Sequence, residues 1–147
     1  MSSVIIIAAG KNKSSSPFYN LWSQYEKRLQ WKITLHEIEA KSPKEELQKL
    51  KEKINPSYPL IALDEKGKTF SSIELSQKIE GLQRNGSPNI QFIIGGADGL
   101  NDEIRKQALL TVSFGRQTWP HMMARCMLLE QIYRAQQILA GHPYHRE

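Results

Sequence analysis

The sequence predicts an α/β fold: an open, mainly parallel sheet flanked by helices. Three observations carry this. Val4-Ile5-Ile6-Ile7 is a continuous β-branched run, the pattern of a central strand covered on both faces. Segments with helical spacing alternate with short apolar runs along the whole chain, giving the order β-α-β-α-β-α-β-α-β-α. No internal repeat or low-complexity tract breaks that order, and 147 residues suit one domain, 1–147.

Each element has a local reason. Val4 to Ala9 is a strand, too short to span a membrane and lacking the basic start of a secretory signal. After Gly10-Lys11 and the serines at 14–16, Pro17 suits a first helical turn, and Phe18, Leu21, Trp22, Tyr25 and Leu29 form an apolar stripe. Trp31 to Ile38 alternates in part and predicts a second strand. Ser42-Pro43-Lys44-Glu45 has capping-box spacing and opens a charged helix whose apolar contacts are Leu47, Leu50 and Ile54. Asn55 to Pro59 ends that helix, and Leu60 to Leu63 is a buried strand followed by Asp64 and a turn at Glu65-Lys66-Gly67-Lys68. Ser71-Ser72-Ile73-Glu74 is a second capping box, starting a helix with Ile73, Ile79 and Leu82 inward and Asn85-Gly86 as its stop. Ile90 to Ile94 is the next strand and runs into Gly95-Gly96-Ala97-Asp98-Gly99. A helix from about Asn101 to Ala108 leads to a strand at Leu109–Val112. The loop Ser113–Pro120 then precedes a long helix from His121 to about Ala140, closed by Gly141, with Cys126 as a small buried side chain.

Composition narrows the class. Hydrophobic residues are 39% and charged residues 24%, which excludes a disordered or membrane-embedded chain. A single cysteine, Cys126, cannot form an internal disulfide, and no Cys/His spacing matches a zinc site, so a reducing, cytoplasmic location is expected. The net charge is +5, and the first sixty residues hold ten basic and six acidic side chains. That excess admits a polyanionic partner, but by itself it describes a solvated surface equally well.

Ligands of open α/β sheets collect outside the carboxyl ends of the strands. Three such ends carry polar or glycine-rich loops: Leu63-Asp64, Gly95 to Gly99, and Ser113 to Pro120. Paired glycines let a backbone approach a ligand closely. Neither the G-x-G-x-x-G dinucleotide signature nor the Walker lysine is present. The ending His142-Pro143-Tyr144-His145-Arg146-Glu147 is polar enough to fray, yet its groups suit stacking on a base, contacting phosphate or moving a proton near neutral pH. Its His-x-x-His spacing lacks an obvious third ligand, so no metal is expected.

In Gly95-Gly96-Ala97-Asp98-Gly99-Leu100, Thr118-Trp119-Pro120-His121, Glu130-Gln131-Ile132-Tyr133-Arg134-Ala135 and the terminal Gly141 to Glu147, the chain resembles the bacterial ribosomal large-subunit pseudouridine N3-methyltransferases. These are S-adenosylmethionine-dependent RNA methyltransferases of the SPOUT class. Gly10-Lys11 and Leu63-Asp64 extend the likeness over essentially the whole chain. The resemblance implies a SPOUT-type trefoil-knotted domain and an obligate homodimer that methylates N3 of a pseudouridine in large-subunit ribosomal RNA of assembled ribosomes. By position, S-adenosylmethionine would be bound by Leu63, by Gly95 and Gly96, and by the loop Gly115, Arg116, Gln117, Thr118, Trp119 and Pro120. The family loop commonly has a serine near Gly115 and a larger apolar residue near Gln117, departures that bear on side-chain rather than backbone contacts. His121 and Arg125, one turn apart, would line the cofactor pocket or the dimer seam.

The same resemblance makes His142, Tyr144, His145 and Arg146 the expected catalytic group. The tail of one protomer would close over the target base beside the partner's cofactor, with Tyr144 stacking on it. Arg146 would hold RNA phosphate or the charge developing on the imide, and His142 or His145 would help remove the N3 proton. Two other readings stay open: a SPOUT methyltransferase for another RNA, and a non-catalytic RNA-binding or ribosome-assembly protein of the same fold.

Overall fold

A computed structural model describes residues 2–146; Glu147, the last residue of the terminal motif, lies outside the described residues. Strands and helices alternate as β1 (Ser3–Ala9), α1 (Pro17–Arg28), β2 (Lys32–Ile38), α2 (Pro43–Lys53), β3 (Leu60–Thr69), α3 (Ser72–Arg84), β4 (Asn89–Ile94), α4 (Asp102–Gln107), β5 (Leu110–Ser113) and α5 (His121–Leu139). The first four helices start where a side chain satisfies an orphan N–H. Ser16 Oγ accepts from Phe18 N, Ser42 Oγ from Glu45 N at 3.1 Å, and Asn101 Oδ1 from Ile104 N at 3.0 Å. Ser71 and Glu74 close the full reciprocal capping box.

The sheet has the order β2-β1-β4-β3-β5, and its pairings are parallel throughout. Pleating sends alternate residues to opposite faces. Val4, Ile6 and Ala8 of β1 join Phe92 and Ile61 in a core covered by α1, α3 and α5. Ile7 and Ala9 join Ile93 and Ala62 in a second core under α2 and α4. Fully buried residues such as Ile6, Ile7 and Ile93 each contribute roughly 1.5–3 kcal/mol through apolar burial.

Two expectations are corrected. The strand expected to end at Leu63 continues to Thr69, because β3 pairs with β5 twice: Leu63 faces Val112, and after a bulge Lys68 faces Val112 as well. Residues 64–67 therefore bow outward and return at Gly67, where a Cβ would stand 2.6 Å from the backbone of Thr111. In α3 the buried face is Leu75, Ser76 and Ile79, with Ile73 only partly covered.

The last helix returns across the sheet to the beginning of the chain. Gln136 on α5 is buried, and its Oε1 accepts from Gln30 N at 2.7 Å and Trp31 N at 3.0 Å. Ser72 Oγ donates to Gln131 Oε1 at 2.7 Å, joining α3 to α5. Among the described residues no helix is long and apolar enough to cross a membrane.

Candidate functional site

Because the strands are parallel, the carboxyl ends of β3, β4 and β5 lie on one edge of the sheet, and a cleft of about 600 Å³ opens there. That volume suits a small-molecule ligand. Its floor is the end of two apolar strands, at Leu63 and Ile94.

The glycine segment after β4 forms one wall. Gly99 N donates to Gly96 O at 3.0 Å, and Gly99 has φ +72°, a conformation that favours glycine. A Cβ at Gly95 would lie 2.6 Å from the carbonyl carbon and oxygen of Gly99, so the two glycine backbones touch directly. Asp64, at the end of the apolar part of β3, clamps this turn. Its Oδ2 accepts from Leu100 N at 3.0 Å and lies 3.6 Å from the guanidinium of Arg105, which also donates to Leu100 O.

The opposite wall is the β5–α5 loop. Ser113 Oγ donates to Gly115 O at 2.9 Å and accepts from Gly115 N at 3.0 Å, while Trp119 Nε1 donates to Phe114 O at 3.3 Å. These bonds fold the loop on itself, so that Gly115, Gln117, Thr118, Trp119 and Pro120 line the cleft with Phe114. Arg116 is exposed and stands outside that lining. The first turn of α5 completes the cleft with His121 and Ala124. Among the described residues no side chain caps α5, so its first N–H groups are left as donors at the cleft mouth.

Arg125 is not a pocket residue in this fold. It is 1% exposed, donating to Glu37 Oε2 at 2.6 Å and to the carbonyls of Ala9 and Gly10 at 3.0 and 2.9 Å. One turn further into α5 than His121, its long side chain is drawn under the β1–α1 loop by the Glu37 carboxylate and the two carbonyls rather than into the cleft. Burial pushes its pKa down and the Glu37 carboxylate opposes this; an arginine stays charged in such a setting. Sequence spacing missed this pair because its members lie far apart in the chain.

The described part of the terminal tail packs back on α5. Tyr144 Oη donates to Glu130 Oε2 at 2.8 Å, and its ring meets Tyr133 edge-on with centroids 4.9 Å apart. The Arg134 guanidinium lies 4.8 Å from the centre of the Tyr144 ring and pairs with Glu130 at 3.0 Å. Burial, then the bond to Glu130, pushes the Tyr144 phenol up to about 12, so it is a neutral donor at physiological pH. His145 Nδ1 lies 3.0 Å from Arg134, His142 Nδ1 accepts from Tyr144 N at 3.1 Å, and Arg146 is exposed.

The tail thus seats Tyr144 and His145 on the middle of α5, with His142 and Arg146 beside them in the chain, and none of the four expected catalytic side chains lines the cleft. A second groove of about 450 Å³ lies between the two regions, sharing Phe114 and Gly115 with the cleft and including Glu130. The i,i+4 spacing of Glu130 and Arg134 was visible in the sequence, but their service as the seat of Tyr144 was not. Among the described residues no three His, Cys, Asp or Glu side chains come together as a metal site.

Comparison with known proteins agrees with this architecture. Ribosomal RNA large subunit methyltransferase H of Rhodospirillum centenum is 45% identical over 147 residues, covering 95% of this chain and 97% of the relative. Its namesake in Zymomonas mobilis is 45% identical over 142 residues, covering 97% of this chain and 96% of the relative. A probable methylase family protein from Haemophilus influenzae has the same fold at a TM-score of 0.59, with 9% identity over 99% of this chain and 71% of that one. The SpoU methyltransferase AviRb of Streptomyces viridochromogenes follows at 0.51, with 13% identity over 95% of this chain and 61% of that one. A family model described as a predicted SPOUT methyltransferase matches residues 2–145, and with full-length relatives above 40% identity the chain belongs to the SPOUT methyltransferase family.

Proposed function

We propose that this protein transfers a methyl group from S-adenosylmethionine to N3 of a pseudouridine in large-subunit ribosomal RNA of assembled ribosomes. The observation that carries the reading is the cleft built from Gly95, Leu63 and the 115–120 loop, in a chain similar along nearly its full length to proteins named ribosomal RNA large subunit methyltransferase H.

The residues present fit such a ligand. The direct contact of Gly95 with Gly99 leaves bare backbone at that point of the wall, where a flat adenine can meet donors and acceptors. Leu63 and Trp119 supply apolar surface, and the free N–H groups of α5 suit the carboxylate of an amino-acid portion. When bound, S-adenosylmethionine supplies a methyl group on a cationic sulfur, open to in-line attack by a base nitrogen. What remains for the chain is alignment, exclusion of water and removal of one imide proton.

The tail is assigned those tasks. Tyr144 is a neutral phenol whose ring is already oriented by Tyr133 and Arg134, which suits stacking on an extruded base. Arg146 is free to meet phosphate or the anionic imide, and His142 or His145 takes the proton. Because the tail sits away from the cleft of its own protomer, the site is composite: one protomer binds the cofactor and its homodimer partner brings the tail. A trefoil knot at the 115–120 loop and a cytoplasmic location belong to the same proposal.

The test is methyl transfer to assembled ribosomes, free large subunits and transfer RNA, with mass-spectrometric mapping of the product. One methyl group on a large-subunit pseudouridine, formed on assembled ribosomes, is expected. Transfer to another RNA establishes a different substrate, and a protein with no calorimetric affinity for S-adenosylmethionine is no methyltransferase.

A further inference from the structure

We propose that the β1–α1 loop is the docking rim for RNA: Lys11 and Lys13 hold the phosphodiester backbone beside the cleft, on a loop set in place by the buried Arg125–Glu37 pair. This rests on the reading of the protein as an RNA methyltransferase.

The topology puts the loop in the right place. Strand β1 lies beside β4 with Ala8 level with Ile94, so the chain leaves β1 at Gly10 next to the glycine turn of the cleft. Gly10 has φ +88°, and a Cβ there would lie 3.3 Å from Met122 Cε and 3.6 Å from His121 Nε2. The loop therefore abuts the turn of α5 that lines the cleft.

The loop is pinned from beneath and charged above. Arg125 holds the carbonyls of Ala9 and Gly10, and Glu37 Oε2 takes both the Arg125 guanidinium and Asn12 N, the latter at 2.7 Å. Burying an ion pair is costly and is a poor way to gain stability, so its use beneath a surface loop points to a need for one loop conformation. Asn12 is 8% exposed, whereas Lys11 and Lys13 on either side are exposed and make no ion pair among the described residues. Asn12 Oδ1 is buried without a hydrogen-bond partner among the described residues.

Charge around the cleft gives direction. The β3–β4 side is mixed in charge: Asp64, Glu65 and Asp98 stand with Lys66 and Arg105, Arg105 being paired with Asp64 and Asp102, and the Glu46 carboxylate would lie 2.6 Å from a Cβ on Gly96. Lys11 and Lys13 on the β1–α1 loop and Arg116 on the β5–α5 loop are exposed cations flanking that edge. A polyanion approaching this edge is drawn to the exposed cations, and Lys11 and Lys13 are the two that share one pinned loop.

The experiment measures co-sedimentation with purified ribosomes across a salt series, with methyl transfer and calorimetric affinity for S-adenosylmethionine followed separately. The double substitution Lys11→Gln/Lys13→Gln is expected to weaken ribosome binding about tenfold near 0.1 M salt. It should also flatten the slope of log affinity against log salt by about 1.5–2, the share of two phosphate contacts. Affinity for S-adenosylmethionine should not change, and Lys11→Arg/Lys13→Arg should restore binding and slope. Glu37→Gln adds a net positive charge, so simple charge counting predicts tighter binding; release of the pinned loop predicts weaker binding. An unchanged slope in the Gln variant, or tighter binding by Glu37→Gln, overturns the proposal. Ribosome binding without any methyl transfer by the unaltered protein would instead sink the catalytic reading and leave the rim to be judged by its slope.

Discussion

Alanine at Gly95 and alanine at Gly96 should behave very differently, although the two residues are adjacent and both line the cleft. At Gly95 the new methyl group would stand 2.6 Å from the carbonyl carbon and oxygen of Gly99, about 0.8 Å inside ordinary contact. Backbone on both sides of that clash cannot rotate away. The turn must open, at about 1–3 kcal/mol for overpacking, with roughly 1 kcal/mol more if the Asp64–Leu100 hydrogen bond is lost. At Gly96 the new methyl would meet Glu46 Oε1 at 2.6 Å, the far end of a flexible side chain that can swing toward solvent for about 1 kcal/mol or less. At about 3 °C per kcal/mol for a domain of this size, Gly95→Ala should lower Tm by roughly 6–12 °C and Gly96→Ala by no more than about 3 °C. The assay is thermal unfolding at fixed protein concentration, paired with calorimetric titration of S-adenosylmethionine, whose Kd should rise at least about tenfold only for Gly95→Ala. Equal losses in the two variants, or a greater loss for Gly96→Ala, would refute the account of this turn as a backbone-to-backbone contact.

Two further outcomes follow from polar groups that the fold holds against a partner. Arg125→Met should destabilise by about 3 kcal/mol, the low end for removing one member of a buried pair because Glu37 is partly solvated. A urea double-mutant cycle with Glu37→Gln should show coupling above about 1 kcal/mol, and no coupling would remove the pair as an anchor. For the tail, the Tyr144 phenol is raised in the folded state to about 12. Its contribution is therefore complete below the ordinary tyrosine pKa of about 10 and is lost as pH rises from there through about 12. Ultraviolet phenolate titration should show one late-titrating tyrosine that disappears in Tyr144→Phe, and tail release between pH 7 and 9 would contradict the assignment.

Much of the fold was legible because its signals are local. The β-branched run at Val4–Ile7 identified a doubly covered strand, and Pro17 and the serines at 42 and 71 marked helix starts that the structure retains. The three strand ends singled out do converge, since a parallel sheet places all its carboxyl ends on one edge. The extension of β3 beyond Asp64 was not legible, because its second stretch is held by β5, some forty residues later, against a sequence that reads locally as a turn. The turning of Arg125 away from the cleft was not legible for a similar reason: helical spacing relates it to His121 but says nothing of Glu37 on a distant strand.

The order of elements, their caps, the apolar stripes and the glycine turn were set by neighbours within a few residues, where backbone sterics and hydrogen-bond needs are decided by side-chain type alone. The cleft walls, the Asp64–Arg105 clamp, the Arg125–Glu37 anchor and the seating of Tyr144 on Glu130 were decided only in three dimensions. Each joins groups whose attraction exists only after other strands and helices have excluded water and brought them within bonding distance, and a linear pattern carries no record of that distance.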